Sequence, residues 1–356
     1  MQLKVLMKLN NMQKLFKKIE QLAKEIGGDI NLMEVCGTHT QAISRHGIRD
    51  VLPKNINLIT GPGCPVCVTA QKDIDAIISL ALAGVPVASY GDVLRIPGYF
   101  GSLDDARGQG AKVFDVYSTE DALKLKEKYP DLVFFGLGFD TTVPMTAYAI
   151  KNGLTVYSTH KLFLPAMEAL LKMGEVRIDG FIDPGHVSVI IGTEPYKSMK
   201  VPQVITGFEA EDVLVGIYML LRQIKKGEKN VENQYLRSVK KEGNPKARKL
   251  TFDVFEIKDG EWRGFGVIPG SGLEIKDQYK EFDAKIKYKD ILSKVDFSKS
   301  KEPKGCGCGE IIRGLKGPKE CPLFGRVCIP ENPIGPCMVS VEGACNNFFR
   351  FRKINN

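Results

Sequence analysis

The chain is poor in several things, and each shortage narrows what it can be. No apolar run approaches the roughly 20 residues that a membrane span needs. The stretch Met1 to Lys17 is basic and amphipathic and has no apolar core of the kind a secretory signal carries. The sequence therefore points to a soluble cytoplasmic protein with no membrane partner. The net charge is +8, but the lysines are spread over helix faces and the segment 223–249, with no base-stacking aromatics interleaved among them. That argues against nucleic acid and leaves room for an acidic protein partner. Histidine is scarce: His39, His46, His160 and His186 are the four. His46 and His160 read as ordinary polar side chains.

What stands out is cysteine. Nine is an odd number, and a chain of 356 residues is too long to need disulfide staples. In a reducing compartment such usage argues for metal or redox work. The organising stretch is Gly61-Pro62-Gly63-Cys64-Pro65-Val66-Cys67. Its two thiols are spaced to close a small disulfide ring or to offer two thiolates to one metal. The prolines fix φ and remove two N–H donors, and the glycines allow a close approach by a neighbour. An apolar run, Ile56–Ile59, leads in and a helical pattern, Asp73–Leu82, leads out. The motif thus falls on a strand-to-helix loop, where an α/β fold places its chemistry. A structural zinc knuckle or two buried thiols would also satisfy an isolated C-x-x-C.

Read along the chain, a helix ending at Gly27-Gly28 is followed by a strand, Asn31–Val35, that delivers Cys36-Gly37-Thr38-His39-Thr40. Strands are expected near Ile56–Thr60, Val85–Tyr90 and Lys112–Tyr117, then at Leu132–Leu137, Thr155–Ser158, Val187–Ile191 and Gln203–Thr206. Helical patterns separate them, notably Glu120–Lys128, Thr141–Lys151, Leu162–Met173 and Glu209–Lys225. The alternation implies parallel strands with crossover helices. The expected fold class is α/β: two similar parallel-sheet domains, 1–117 and 118–235, and a third, cysteine-rich domain, 236–356. Three strand ends carry an acid, in Tyr90-Gly91-Asp92, Gly138-Phe139-Asp140 and Gly207-Phe208-Glu209. Each either caps the helix that follows or lines the cleft at the strand ends.

The tail holds Cys321, Cys328, Cys337 and Cys345 at the spacing C-x6-C-x8-C-x7-C. Four thiolates suit a [4Fe–4S] cluster or tetrahedral zinc. Zinc sites usually come as paired knuckles, which this tail lacks, so the spacing favours the cluster. Cys306 and Cys308 lie just upstream with no assigned role. His39, three residues after Cys36, is placed to tune that thiol or share its metal.

These strings have a family likeness. Met33-Glu34-Val35-Cys36-Gly37-Thr38-His39-Thr40, the Gly61–Cys67 motif, Pro184-Gly185-His186-Val187-Ser188, Ile268-Pro269-Gly270-Ser271-Gly272-Leu273 and the cysteine tail closely resemble the HypD family of [NiFe]-hydrogenase maturation proteins, in the same order from about residue 30 to 349. Two positions depart from the common family pattern: Gln41, where many members have a second histidine, and Asp140, where many have glutamate. The resemblance implies a redox-active assembly scaffold, monomeric when free, more than a turnover enzyme. Its implied task is to assemble the Fe(CN)2CO unit of the hydrogenase with the small chaperone HypC and with HypE, which presents a carboxy-terminal thiocyanate. It further implies that Cys36 holds iron bearing CN and CO together with a chaperone cysteine, with His39 as its neighbour. Cys64 and Cys67 would be the redox dithiol, and Cys321, Cys328, Cys337 and Cys345 the [4Fe–4S] ligands. Thiolate is a suitable soft ligand for such an iron. Releasing cyanide from a thiocyanate takes two electrons, which a dithiol supplies together and a cluster singly. The competing reading is a freestanding iron–sulfur-dependent disulfide reductase in which Cys36 is incidental. A third thiol delivered by its own strand favours the scaffold.

Overall fold

A computed structural model describes residues 2–351 of the chain. Met1 and residues 352–356 lie outside the described residues, as do the side chains of residues 2–11, which carry most of the amphipathic N-terminal pattern.

Short β-branched runs alternate with segments whose apolar residues recur at helical spacing, and the elements follow that alternation. In chain order the strands are β1 Ile30–Glu34, β2 Ile56–Thr60, β3 Val87–Ser89, β4 Val113–Asp115, β5 Val133–Gly136, β6 Thr155–Ser158, β7 Gly180–Pro184, β8 Gln203–Thr206, β9 Val231–Asn233, β10 Phe255–Trp262 and β11 Gly266–Ile275. The first nine form two parallel sheets, ordered β2-β1-β7-β8-β9 and β4-β3-β5-β6. β10 and β11 form an antiparallel hairpin.

Each sheet has its first strand inside, its second strand to one side and its later strands to the other. This is the order of a doubly wound fold, and it matches the expectation of two similar α/β units. The units are not consecutive, however. The division expected between residues 117 and 118 does not coincide with the division between the sheets. β1 pairs with β2 and with β7, which begins at Gly180, and β3 to β6 form the second sheet among themselves. The second unit is therefore inserted into the first. Periodicity identifies elements but carries no information about which distant strand fills the neighbouring slot.

One strand assignment is corrected. Val187–Ile191 is the end of a helix, Gly185–Ile191, and the strand lies just before it, at β7. The β-branched run suggested a strand, but the slot between β1 and β8 is already filled by β7. Pro184 then ends the ladder, and Ser188 Oγ donates to the Pro184 carbonyl at 2.9 Å within the first turn of the helix.

The residues beyond 236 do not stand apart either. The hairpin lies on the second unit, where Phe255, Leu273 and Ile275 share a core with Ala88, Phe134 and Val156. The tail residues Cys308, Ile311, Met338 and Cys345 join the core that contains Met33, Val35 and Cys67. A segment rich in Gly, Pro and Cys has little apolar surface of its own, so it folds onto a core that others build.

His160 shows how the second unit satisfies a buried polar group. It is 1% exposed, with Nε2 3.2 Å from Thr146 Oγ1 and Nδ1 3.0 Å from Ser158 Oγ. Burial, with Lys161 and Lys285 nearby, pulls its pKa down to about 3. The unfolded chain gains a proton below pH ~6.5 while the folded chain does not, so this group costs stability progressively as pH falls from ~6.5 toward 3. His160→Gln should flatten that part of the profile. Urea midpoints at pH 7 and pH 4.5 should fall less in the variant than in the native protein, and an equal fall would refute the assignment.

Candidate functional site: Cys36, the Cys64–Cys67 loop and a six-cysteine cavity

β1 and β2 are parallel neighbours in register Glu34 to Thr60, so the two motifs that follow them leave the same edge of the first sheet. β1 is also where the strand order reverses, between β2 on one side and β7 on the other, and such switch points open crevices at strand C-termini. Cys36 stands there as the residue before the helix Gly37–Arg45. The loop after β2 closes on it. Gly61 N–H donates to the Glu34 carbonyl at 2.8 Å and Gly37 N–H to the Gly63 carbonyl at 3.0 Å. A Cβ on Gly63 would lie 2.3 Å from the Cys36 nitrogen and 2.4 Å from its Cα. Only glycine allows this approach. Cys64 and Cys67 are joined as a disulfide, with Cα atoms 5.2 Å apart. Cys64 caps the short helix Pro65–Val68, its Sγ accepting the Cys67 N–H at 3.2 Å.

Cys36 is held through its backbone by a buried acid. Its N–H donates to Glu34 Oε2 at 3.3 Å, Thr40 Oγ1 donates to Glu34 Oε1 at 2.7 Å, and Arg49 lies 3.6 Å from the same carboxylate. Burial raises Glu34 to about 7 against the opposing effect of Arg49. The Cys36 thiol is pushed up to about 12, first by burial and then by the nearby Glu342 carboxylate, while the N–H groups of His39 and Thr38 pull the other way. It is a thiol at neutral pH, and a metal ion would have to displace its proton.

His39 is fully buried and its ring turns to the end of β8. Nε2 lies 2.9 Å from the Gly207 carbonyl and 2.8 Å from Thr206 Oγ1. A carbonyl only accepts, so Nε2 carries the proton and Nδ1 is a bare acceptor with no partner among the described residues. Burial holds the pKa down at about 4. The ring packs on Phe208 at 4.8 Å, and Phe208 stacks on His186 at 3.9 Å. The sequence reading gave His186 no partner; the fold brings it to the same end of the sheet.

The three acids part company. Glu209 caps the helix Ala210–Lys226, Asp92 accepts from Ser340 Oγ at 3.0 Å, and Asp140 accepts the Phe163 N–H at 3.1 Å while burial raises it to about 6. Sequence reasoning missed Glu342. It accepts from Thr38 Oγ1 at 3.2 Å and lies so close that a Cβ on Gly37 would meet it at 2.4 Å. Its signal was faint: an acid three residues before Cys345, in a tail read only for thiols.

The four spaced tail cysteines do come together. They line one small apolar cavity with Cys306 and Cys308, beside Ile311, Phe324 and Met338. No three of the cysteines stand in metal-holding geometry among the described residues, but the donor chemistry fits a thiolate-bound cluster. Backbone N–H groups of Gly307 and Ile334 already point at Cys321 Sγ and Cys328 Sγ, at 3.4 and 3.3 Å, the contacts that tune such clusters. Cys308 Sγ and Cys337 Sγ lie 2.8 Å apart. The disulfide's helix, Pro65–Val68, packs against the helices Cys308–Ile312 and Pro336–Val339, so Cys36, the disulfide loop and the thiol cavity form one continuous series.

The family model HypD, described as Hydrogenase formation hypA family, matches residues 10–352. The chain belongs to the HypD family. It is 45% identical to a putative hydrogenase expression/formation protein of Methanocaldococcus jannaschii over 96% of this chain and 97% of that one. It is 45% identical to hydrogenase maturation factor HypD2 of Bradyrhizobium diazoefficiens over 88% and 87% of the two chains. Hydrogenase maturation factor HypD of Escherichia coli is 40% identical over 91% and 90%. Among the described residues of this HypD family member, no helix is long and apolar enough to cross a membrane.

The contact at Gly63 gives a direct test of the site. Gly63→Ala should cost about 1–3 kcal/mol by overpacking, because the atoms it meets are backbone and cannot rotate away. It should also speed alkylation of Cys36, read by mass spectrometry in unreduced protein. Unchanged stability and alkylation would show that the two motifs are not packed together.

Proposed function

We propose that this chain is an assembly scaffold in hydrogenase maturation, building the Fe(CN)2CO unit together with a HypC-type chaperone and accepting cyanide from a HypE-type donor. The observation that supports this most is the packing of Gly63 on Cys36, with a redox-capable pair one residue away. A reductase working alone has no use for a third thiol there. The iron is cargo. Cys36 holds it as a thiolate, a soft ligand suited to an iron bearing cyanide and carbon monoxide, and the chaperone's cysteine completes the hold. Glu34 and Gly63 fix the Cys36 backbone from two sides. His39 Nδ1, in the same motif, is a buried acceptor without a partner among the described residues, and burial keeps the ring neutral.

The redox step balances without a further reductant. In the dithiol state, Cys64 and Cys67 give two electrons and two protons and close to the disulfide. The S–C bond of the thiocyanate breaks, the donor leaves as a thiol with one proton, cyanide passes to the iron, and one proton remains for a base.

A [4Fe–4S] cluster is the resident cofactor of this reading, and bound there it carries electrons singly. By spacing its ligands are Cys321, Cys328, Cys337 and Cys345. The cavity offers a second set, because six thiols exceed four and the 2.8 Å contact pairs Cys337 with Cys308. That set is Cys306, Cys321, Cys328 and Cys345. Cys328→Ala should abolish iron and sulfide content and loosen residues 301–349 under either assignment. Cys337→Ser separates the two: iron and sulfide retained in full select the second set, and their loss selects the first.

Cys36→Ala tests the scaffold itself. The variant should fold and keep its cluster, yet anaerobic co-purification with the chaperone should yield a complex without the additional iron and without cyanide and carbonyl infrared bands. Bands at full intensity would place the iron elsewhere. A freestanding reductase would show no such bands even with Cys36 present.

A further inference from the structure

One of the strings that carry the family likeness, Ile268–Leu273, lies on β11. Its place is at a separate cleft of about 330 Å³, near the lower end of the range for ligand pockets. Gly270 and Leu273 form one wall. Ile190 and Ile191, the end of the helix that begins at Gly185, form another. Asp140 is the one acid in a lining that is apolar apart from Arg248 and Thr251. It is 9% exposed, and its Oδ2 is occupied by the Phe163 N–H.

The rim differs in character from the walls. Phe252 and Ile257 line the cleft yet are 37% and 49% exposed, and large apolar side chains left in water beside a cavity mark an interaction site. Phe252 lies one turn after Arg248 on the helix Pro245–Val254. That helix also exposes Lys246 and Lys249. None of these three cations has an ion pair within 4 Å among the described residues, although Arg248 shares the cleft with Asp140 and opposes the burial that raises its pKa. The neighbouring acids are already engaged: Asp253 with Lys151 at 3.7 Å, and Glu194 with Lys197 and Lys241 at 2.9 and 3.6 Å.

We propose that this cleft seats an acidic segment of a partner protein, anchored by one tyrosine or tryptophan side chain. The apolar walls take the ring. A buried ring with an O–H or N–H needs an acceptor, and Asp140 is the acceptor the cleft provides. Acidic residues flanking the anchor meet Arg248, Lys246 and Lys249, a complementarity that steers encounter and fixes orientation. The proposal rests on the reading that the chain works in an assembly with partner proteins.

The test uses the full chain and the two partners of that assembly. Arg248→Glu with Lys249→Glu, and separately Ile257→Asp, change exposed side chains, so folding should be undisturbed. Binding of one partner should weaken about tenfold in the double variant, mainly through slower association, and the loss should shrink as salt rises. Ile257→Asp should weaken the same partner by about tenfold through faster dissociation. In the native complex, hydrogen exchange should slow at Pro245–Val254 and β11. Equal affinity of all variants for both partners, or no slowing there, overturns the proposal. Self-association abolished by the same variants would give the cleft to a second copy and overturn it too. If neither partner binds the native chain, the assembly reading itself falls, and the cleft's occupant with it.

Discussion

Everything at the candidate site depends on one close approach, the backbone of Gly63 against the backbone of Cys36. It follows from two parallel strands in register and from a residue with no Cβ. Two chemically distinct thiol motifs, 28 residues apart in the chain, are thereby fixed against each other by main-chain hydrogen bonds. Side chains could shift by rotamer changes; these atoms cannot. The surrounding network serves the same fixation, since Glu34 receives the Cys36 N–H on one side and Thr40 and Arg49 on the other.

Burial sets the electrostatic character of the region. Cys36 and Glu34 are both pushed toward their neutral, protonated forms, and His39 toward its neutral, unprotonated form. A metal bound at Cys36 would have to displace its proton. Charge returns at the surface, where the basic helix Pro245–Val254 borders an apolar cleft.

Much of this was legible in the sequence because it is local. The strands at β6 and β8 and the helices between the strands follow from periodicity, and the placement of Cys36 and the Gly61–Cys67 loop at one sheet edge follows from their positions after apolar runs. What was not legible is long-range. The insertion of one unit into the other leaves no local trace, because β1 is as good a partner for β7 as for any other buried strand until burial decides. The run Val187–Ile191 shows the opposite failure: a strong local preference overridden by a slot already filled. Glu342 and the pair Cys306 and Cys308 were missed or left open because the tail has no periodicity, and only folding onto another core reveals which residues meet.

The insertion also has a consequence in time. β1 and β2 are synthesised early but cannot complete their sheet until β7 and β8 leave the ribosome, after the whole second unit. At the usual pace of 5–20 residues per second, the roughly 120 intervening residues take on the order of 10 s. The second sheet, β3 to β6, is local enough to form during that interval, although its core is completed only by the later hairpin. Cys36, Cys64 and Cys67 then wait on strands without their neighbours, so the nascent protein passes through a window in which the sulfurs of its candidate site are its least sheltered.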